Sequence, residues 1–125
     1  MIAKRKKTLN LKEFYKEYVG HISNTLPSHK KITSMELEVL TEFWILEGAL
    51  AEVGRFSTPA KRYIREEVFN FKTYSGLENY LTKLLKKGYI VNVDGKKDIA
   101  PFINLPKDKI VDSGIFSLVY EYEIV

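Results

Sequence analysis

Residues 57–103 read STPAKRYIREEVFNFKTYSGLENYLTKLLKKGYIVNVDGKKDIAPFI, and the order of signals in this stretch decides the fold. Thr58 followed by Pro59 offers a hydroxyl to the orphan N–H groups of a helix start, with proline at the first helical position, where its missing donor costs nothing. Ala60, Ile64, Val68 and Phe71 then recur at helical spacing, Tyr63 and Phe69 widen that stripe, and Lys61, Arg62, Arg65 and Glu66 take the other side. Residues 70–74 predict a turn. Ser75 and Glu78 form a capping-box pattern, in which each side chain satisfies the other's backbone donor. Behind it Leu77, Tyr80, Leu81, Leu84 and Leu85 mark one apolar helical face. Lys86 and Lys87 suit the negative end of that helix, and Gly88 is placed for a left-handed cap. Residues 89–93 are rich in strand formers, Asp94-Gly95 signals a two-residue hairpin turn, and 96–103 return as the partner strand.

The segment before this stretch predicts two more helices. Asn10 with Glu13 signals a helix start, and Leu11, Phe14, Tyr15, Tyr18, Val19, Ile22 and Leu26 keep one amphipathic stripe for about four turns, as far as Pro27. That face either packs on the core or pairs with a second copy. Thr33 with Glu36 forms another capping box, followed by Leu37, Val39, Leu40, Phe43, Trp44, Ile45 and Leu50 on a broadly apolar helix. Glu36, Glu38, Glu42 and Glu47 are expected on its outer side, and Trp44 in the core. Residues 49–56 read as a loop or short strand. After the hairpin, 105–114 form a connector with Pro106 and Gly114 as breakers, and the alternation from Leu118 to Val125 predicts a final strand.

The run Leu84-Leu85-Lys86-Lys87-Gly88-Tyr89-Ile90 before a basic hairpin resembles the end of the recognition helix and start of the wing in winged-helix proteins, particularly bacterial regulators of the multiple-antibiotic-resistance type. The resemblance covers roughly residues 33–103 and lies in a pattern of residue types. It implies an α+β winged helix-turn-helix, here with an added N-terminal amphipathic helix and a C-terminal strand. The resistance regulators end instead in a long dimerisation helix, so the resemblance does not extend to a dimer of that type.

Charge is unevenly distributed over the 125 residues, whose formal net charge is +4. Residues 1–33 carry eight Lys/Arg and two Glu, whereas 34–54 carry five Glu and no base. Residues 55–97 carry ten bases and four acids, and 98–125 two bases and five acids. Positive charge thus gathers on the N-terminal segment and on the helix, turn, helix and hairpin, the parts that would face phosphates. The same pattern also allows the acidic helix to neutralise basic ones within the fold.

In a winged helix the second helix of the motif enters the major groove and the wing rides on the backbone. The outward face of that helix offers Ser75, Glu78, Asn79, Thr82, Lys83 and Lys86; Asn79 suits adenine, and Lys83 suits guanine or phosphate. Arg62, Arg65, Lys96 and Lys97 are expected as backbone clamps. The expected partner is double-stranded DNA, and the expected role a non-catalytic transcriptional or replication regulator. The alternative is a winged-helix protein–protein module, for example a component of a bacteriophage particle, with a second copy or an assembly partner docking on the N-terminal helix or the C-terminal strand. The Lys-, Ile-, Tyr- and Asn-rich composition fits AT-rich coding DNA, as in a bacterium or phage.

Other classes find less support. A hydrophobic content of 45% with 13% aromatic residues argues against a disordered chain, and no apolar run approaches the roughly 20 residues of a membrane span. Met1-Ile2-Ala3 leads into charge, so no secretory signal is expected, and a cytoplasmic location is. Zero cysteines exclude disulfides and thiolate metal sites. His21 and His29 are expected at the surface or in a loop, with no metal or cofactor. The adjacent Glu66 and Glu67 point to different sides of one helix, no glycine-rich phosphate loop occurs, and no nucleophile, histidine and acid set suggests an enzyme. The expected organisation is a basic flexible arm over 1–9 and a single domain over 10–125.

Overall fold

Helix starts and stops set the architecture, an α+β fold that is mostly helical. A computed structural model of the chain describes residues 2–5, 10–46, 48–104 and 118–121. Helix α1 spans Leu11–Asn24, its first turn closed by the Asn10 side chain, which accepts from the Glu13 N–H at 2.8 Å. Helix α2 spans Ser34–Trp44 and carries the predicted box: Thr33 accepts from the Glu36 N–H while the Glu36 carboxylate accepts from the Thr33 N–H. A short helix α3, Ala49–Val53, occupies the segment expected as a loop or strand, and Leu50 belongs to it and not to α2.

Helix α4 spans Thr58–Tyr63 and continues through a π-helical turn, Ile64–Val68. Its cap is Ser57, whose hydroxyl accepts from the Ala60 N–H, so the start falls one residue before the expected Thr58. The wider turn ends where Asn70 adopts a positive φ of 54° and the Phe71 N–H donates back to the Arg65 carbonyl. Helix α5 spans Tyr74–Lys87. The Ser75–Glu78 box does not form there: Thr73 is the capping position, without a side-chain cap bond, and Glu78 pairs instead with Lys61 of α4 at 3.1 Å. Gly88, at φ 89°, closes α5 as expected, with its own N–H and that of Tyr89 donating to Leu85 and Leu84.

Strands β2, Ile90–Val93, and β3, Lys96–Ile99, form the predicted antiparallel hairpin with Ile90 opposite Ile99 and Val93 opposite Lys96. Both turn residues have positive φ, Asp94 at 51° and Gly95 at 78°, the geometry that matches strand twist in a tight hairpin. A second two-stranded antiparallel sheet joins β1, Ile2–Arg5, to β4, Leu118–Glu121, with Ile2 opposite Glu121. Part of the segment expected as an arm is therefore a strand. The 105–114 connector and residues 122–125 of the expected terminal strand lie outside the described residues, as does Glu47.

One core joins α1, α2, α4, α5 and the β2–β3 hairpin. Tyr15 and Val19 of α1, Val39, Leu40, Phe43 and Trp44 of α2, Ala60 and Ile64 of α4, Leu77, Leu81 and Leu84 of α5, and Ile90 and Ile99 of the hairpin are all buried. Trp44 lies in this core as expected, stacked on Tyr15 with ring centroids 3.8 Å apart and 6° between planes. Tyr15 and Val19 thus pack the α1 stripe within this chain. Tyr63 does not widen the α4 stripe; it is exposed.

The acids of α2 do not form an outer face. Glu38 and Glu42 turn to α1, where Lys12 reaches both, at 3.1 and 2.6 Å, and Lys16 reaches Glu38. Glu36 is 1% exposed and accepts from the Lys87 ammonium at 2.6 Å, tying the start of α2 to the end of α5. The Arg55 guanidinium donates to the Phe43, Trp44 and Leu46 carbonyls and so completes the C-terminal end of α2.

Burial acts to raise the Glu36 carboxyl, but Lys87 and the Thr33 N–H outweigh it and hold the group below its ordinary value of 4.5. A depressed carboxyl stabilises the fold fully above about pH 4.5, and the contribution is lost as pH falls through the lowered folded value. Lys87→Ala, which strands a buried carboxylate, should lower the unfolding free energy in urea at pH 7 by about 2–4 kcal/mol. It should also flatten the loss of stability of the parent protein below pH 4.5.

Candidate nucleic-acid interface

Because α5 turns once per 3.6 residues, the burial of Leu77, Leu81 and Leu84 on one side fixes what stands on the other. Ser75, Asn79, Thr82, Lys83 and Lys86 are all exposed there. With a rise of 1.5 Å per residue, Ser75 to Lys86 spans about 16 Å of helix axis. Lys83 sits 5.8 Å from the ring centroid of Tyr80, which limits its rotamers without removing its charge from solvent. Glu78, expected on the same face, leans toward α4 through its pair with Lys61, so its charge is partly offset.

The expected clamps divide. Arg62 on α4 is exposed, as is Lys96 on β3, and Lys97 is half-buried. Arg65 is half-buried and donates to Glu66 at 2.9 Å, which leaves it less available than the sequence suggests. Hairpin pairing places Lys96 opposite the exposed Val93 and Lys97 opposite Asn92.

Ion pairing shows which charges the fold uses. Lys12, Lys16, Lys61, Arg65 and Lys87 have carboxylate partners, and Arg55 is held by carbonyls. Among the described residues, Arg62, Lys72, Lys83, Lys86, Lys96 and Lys97, together with Lys30 and Lys31, have no such partner. The first six lie between α4 and the hairpin. Lys30 and Lys31 lie on the connector between α1 and α2, whose carbonyls accept from the Tyr89 hydroxyl at 2.8 Å and the Lys87 ammonium at 2.9 Å. Lys30, Lys31 and Lys72 were not singled out by sequence reasoning. Lys72, in the predicted turn before α5, was legible as a neighbour of that helix, but nothing local shows that residues 30–31 dock on its far end.

Among the described residues an open cleft of about 300 Å³ lies between α1 and the start of α2, lined by Glu17, His21, Ser23 and Thr33 among others. His21 lies 3.9 Å from Glu17, a carboxylate one helical turn earlier that sequence reasoning overlooked. Among the described residues no group of three or more His, Cys, Asp or Glu is placed to hold a metal ion, and no helix is long and apolar enough to cross a membrane. The buried Tyr15 hydroxyl has no hydrogen-bond partner among the described residues, and burial raises its pKa. The Tyr15 ring stacks on Trp44, and Tyr15 does not line the cleft.

No protein-family model, curated protein or solved structure matches the chain.

The two faces of α5 should respond differently to substitution. Alanine at Asn79, Thr82, Lys83 or Lys86 should shift the urea-unfolding free energy by less than about 0.5 kcal/mol, whereas Leu81→Ala should cost about 2–4 kcal/mol.

Proposed function

We propose that this chain is a winged helix-turn-helix protein that binds duplex DNA without catalysis, with α4 and α5 as the helix-turn-helix and β2–β3 as the wing. The observation that carries this reading is the distribution of charge: the described acids of α2 are paired within the fold, and six of the eight cations without a carboxylate or carbonyl partner among the described residues lie on α4, α5, the turn between them and the hairpin. An excess of cations over acids raises the local potential, and a polyanion that binds there releases its own condensed counterions.

In this reading α5 lies in the major groove. Asn79 pairs with an adenine edge, Lys83 takes a guanine or a phosphate, and Ser75, Thr82 and Lys86 contact the groove walls. Arg62, Arg65, Lys96 and Lys97 hold the backbone on either side. The hairpin acts as a short wing, and the protein works in the cytoplasm as a transcriptional or replication regulator.

A second reading has its own support in the β1–β4 sheet. Among the described residues each of those strands pairs with a single neighbour, which leaves an outer edge on each where a further strand could add. This favours an assembly component that docks by sheet augmentation, such as a phage structural module.

Fluorescence anisotropy with a mixed-sequence duplex at several salt concentrations separates the two. With about four to six phosphate contacts, the logarithm of affinity should fall against the logarithm of salt with a slope of about −4 to −5. Lys83→Ala and Lys96→Ala should each reduce that slope by about one. Unchanged binding in both variants, while they stay folded, would contradict the DNA reading. No binding at low salt, with a sedimentation mass above the monomer, would favour the assembly module.

A further inference from the structure

We infer that the connector between α1 and α2 forms a second phosphate-binding element, in which Lys30 and Lys31 hold the duplex backbone beyond the C-terminal end of α5. The inference rests on the DNA-binding reading and adds residues to it that lie far from the motif in sequence.

Three observations carry it. The connector is built, not loose: a 3-10 turn spans Ser28–Lys30, the Lys30 N–H donates to the Pro27 carbonyl, and the Ile32 N–H donates to the Ser23 hydroxyl at 2.8 Å. Its main chain is tied to the last turn of α5 and to the residue after the Gly88 cap. The Lys30 carbonyl accepts from the Tyr89 hydroxyl and the Lys31 carbonyl from the Lys87 ammonium, at 2.8 and 2.9 Å. The fold therefore uses the main chain of both lysines and leaves both side chains exposed, with no carboxylate partner among the described residues.

The third observation is the local charge. Glu36, the acid bound to the connector's end through the Thr33 cap, is buried and neutralised by Lys87. Lys30 and Lys31 on the connector and Lys86 in the last turn of α5 are all exposed, with Lys83 about one helical turn behind Lys86. The connector that carries Lys30 and Lys31 is tied to the end of α5, where a groove-bound helix would meet flanking phosphates. Because these are point charges on flexible stems, they favour phosphate over a base edge, and their contribution should not depend on base sequence.

The test is the salt dependence of full-length Lys30→Ala/Lys31→Ala, measured by anisotropy on two duplexes of unrelated sequence, with urea unfolding as the check on folding. The backbone hydrogen bonds remain, so the double variant should unfold with the parent protein. Two lost phosphate contacts should reduce the salt slope by about two on both duplexes and weaken low-salt affinity roughly tenfold. An unchanged slope in a variant that has folded would overturn the inference while leaving duplex binding by the parent intact. Absence of duplex binding by the parent would overturn both this inference and the reading it rests on. If the double variant unfolds early, Lys30→Gln/Lys31→Gln is measured in its place and read by the same slope.

Discussion

The contact between Glu36 and Lys87 is the constraint through which the rest of the fold is organised. Glu36 does two jobs from one buried position: it completes the cap of α2 through the Thr33 N–H, and it receives the ammonium at the last turn of α5. Ridges-into-grooves packing limits two helices with a shared apolar interface to a few alternative geometries, and a directional contact selects one register among them. Here a charged hydrogen bond at 2.6 Å, placed at the edge of the Leu40, Leu77 and Leu84 core, supplies that register. The Lys87 ammonium then also holds the Lys31 carbonyl, so the same group positions the connector.

Fixing the inner face of α5 fixes its outer one. Ser75, Asn79, Thr82, Lys83 and Lys86 are displayed together because Leu77, Leu81 and Leu84 cannot leave the core without a large loss of apolar burial. The same logic sets the electrostatics. The chain has a modest excess of positive charge, but Lys12 and Lys16 are spent on Glu38 and Glu42, Lys61 on Glu78, and Arg55 on the last carbonyls of α2. Among the described side chains, the cations left without a carboxylate or carbonyl partner therefore fall on α4, α5, the turn between them, the hairpin and the connector. A protein using these groups on a polyanion has little internal charge to break first.

Much of the framework was legible because its signals are local. Asn10 with Glu13, Thr33 with Glu36, Gly88 and Asp94-Gly95 act within a few residues of themselves and behave as read. The misreadings arise where a distant group competes. Glu78 has the spacing of a capping box with Ser75, yet Lys61 of the neighbouring helix draws it away. Glu38 and Glu42 look like a solvated acidic face in isolation and become an inter-helix seam only because Lys12 and Lys16 lie opposite. The π turn over Ile64–Val68 adds a residue to the helix without any change in its apolar spacing, and Ser57 and Thr58 offer equivalent hydroxyls one position apart. Of the candidate interface, the α5 face follows from periodicity alone, whereas Lys30 and Lys31 depend on a tertiary contact 56 residues apart in sequence.

The most direct test of this account is an amide NMR titration of the labelled protein with an unlabelled duplex at low salt. If DNA is the partner, shift changes will concentrate on the outward positions of α5, on the hairpin turn and on residues 30–31, while the α1 and α2 interior stays still. Saturating duplex that leaves α5 and the hairpin unperturbed, or perturbs only the β1–β4 strands, would contradict it.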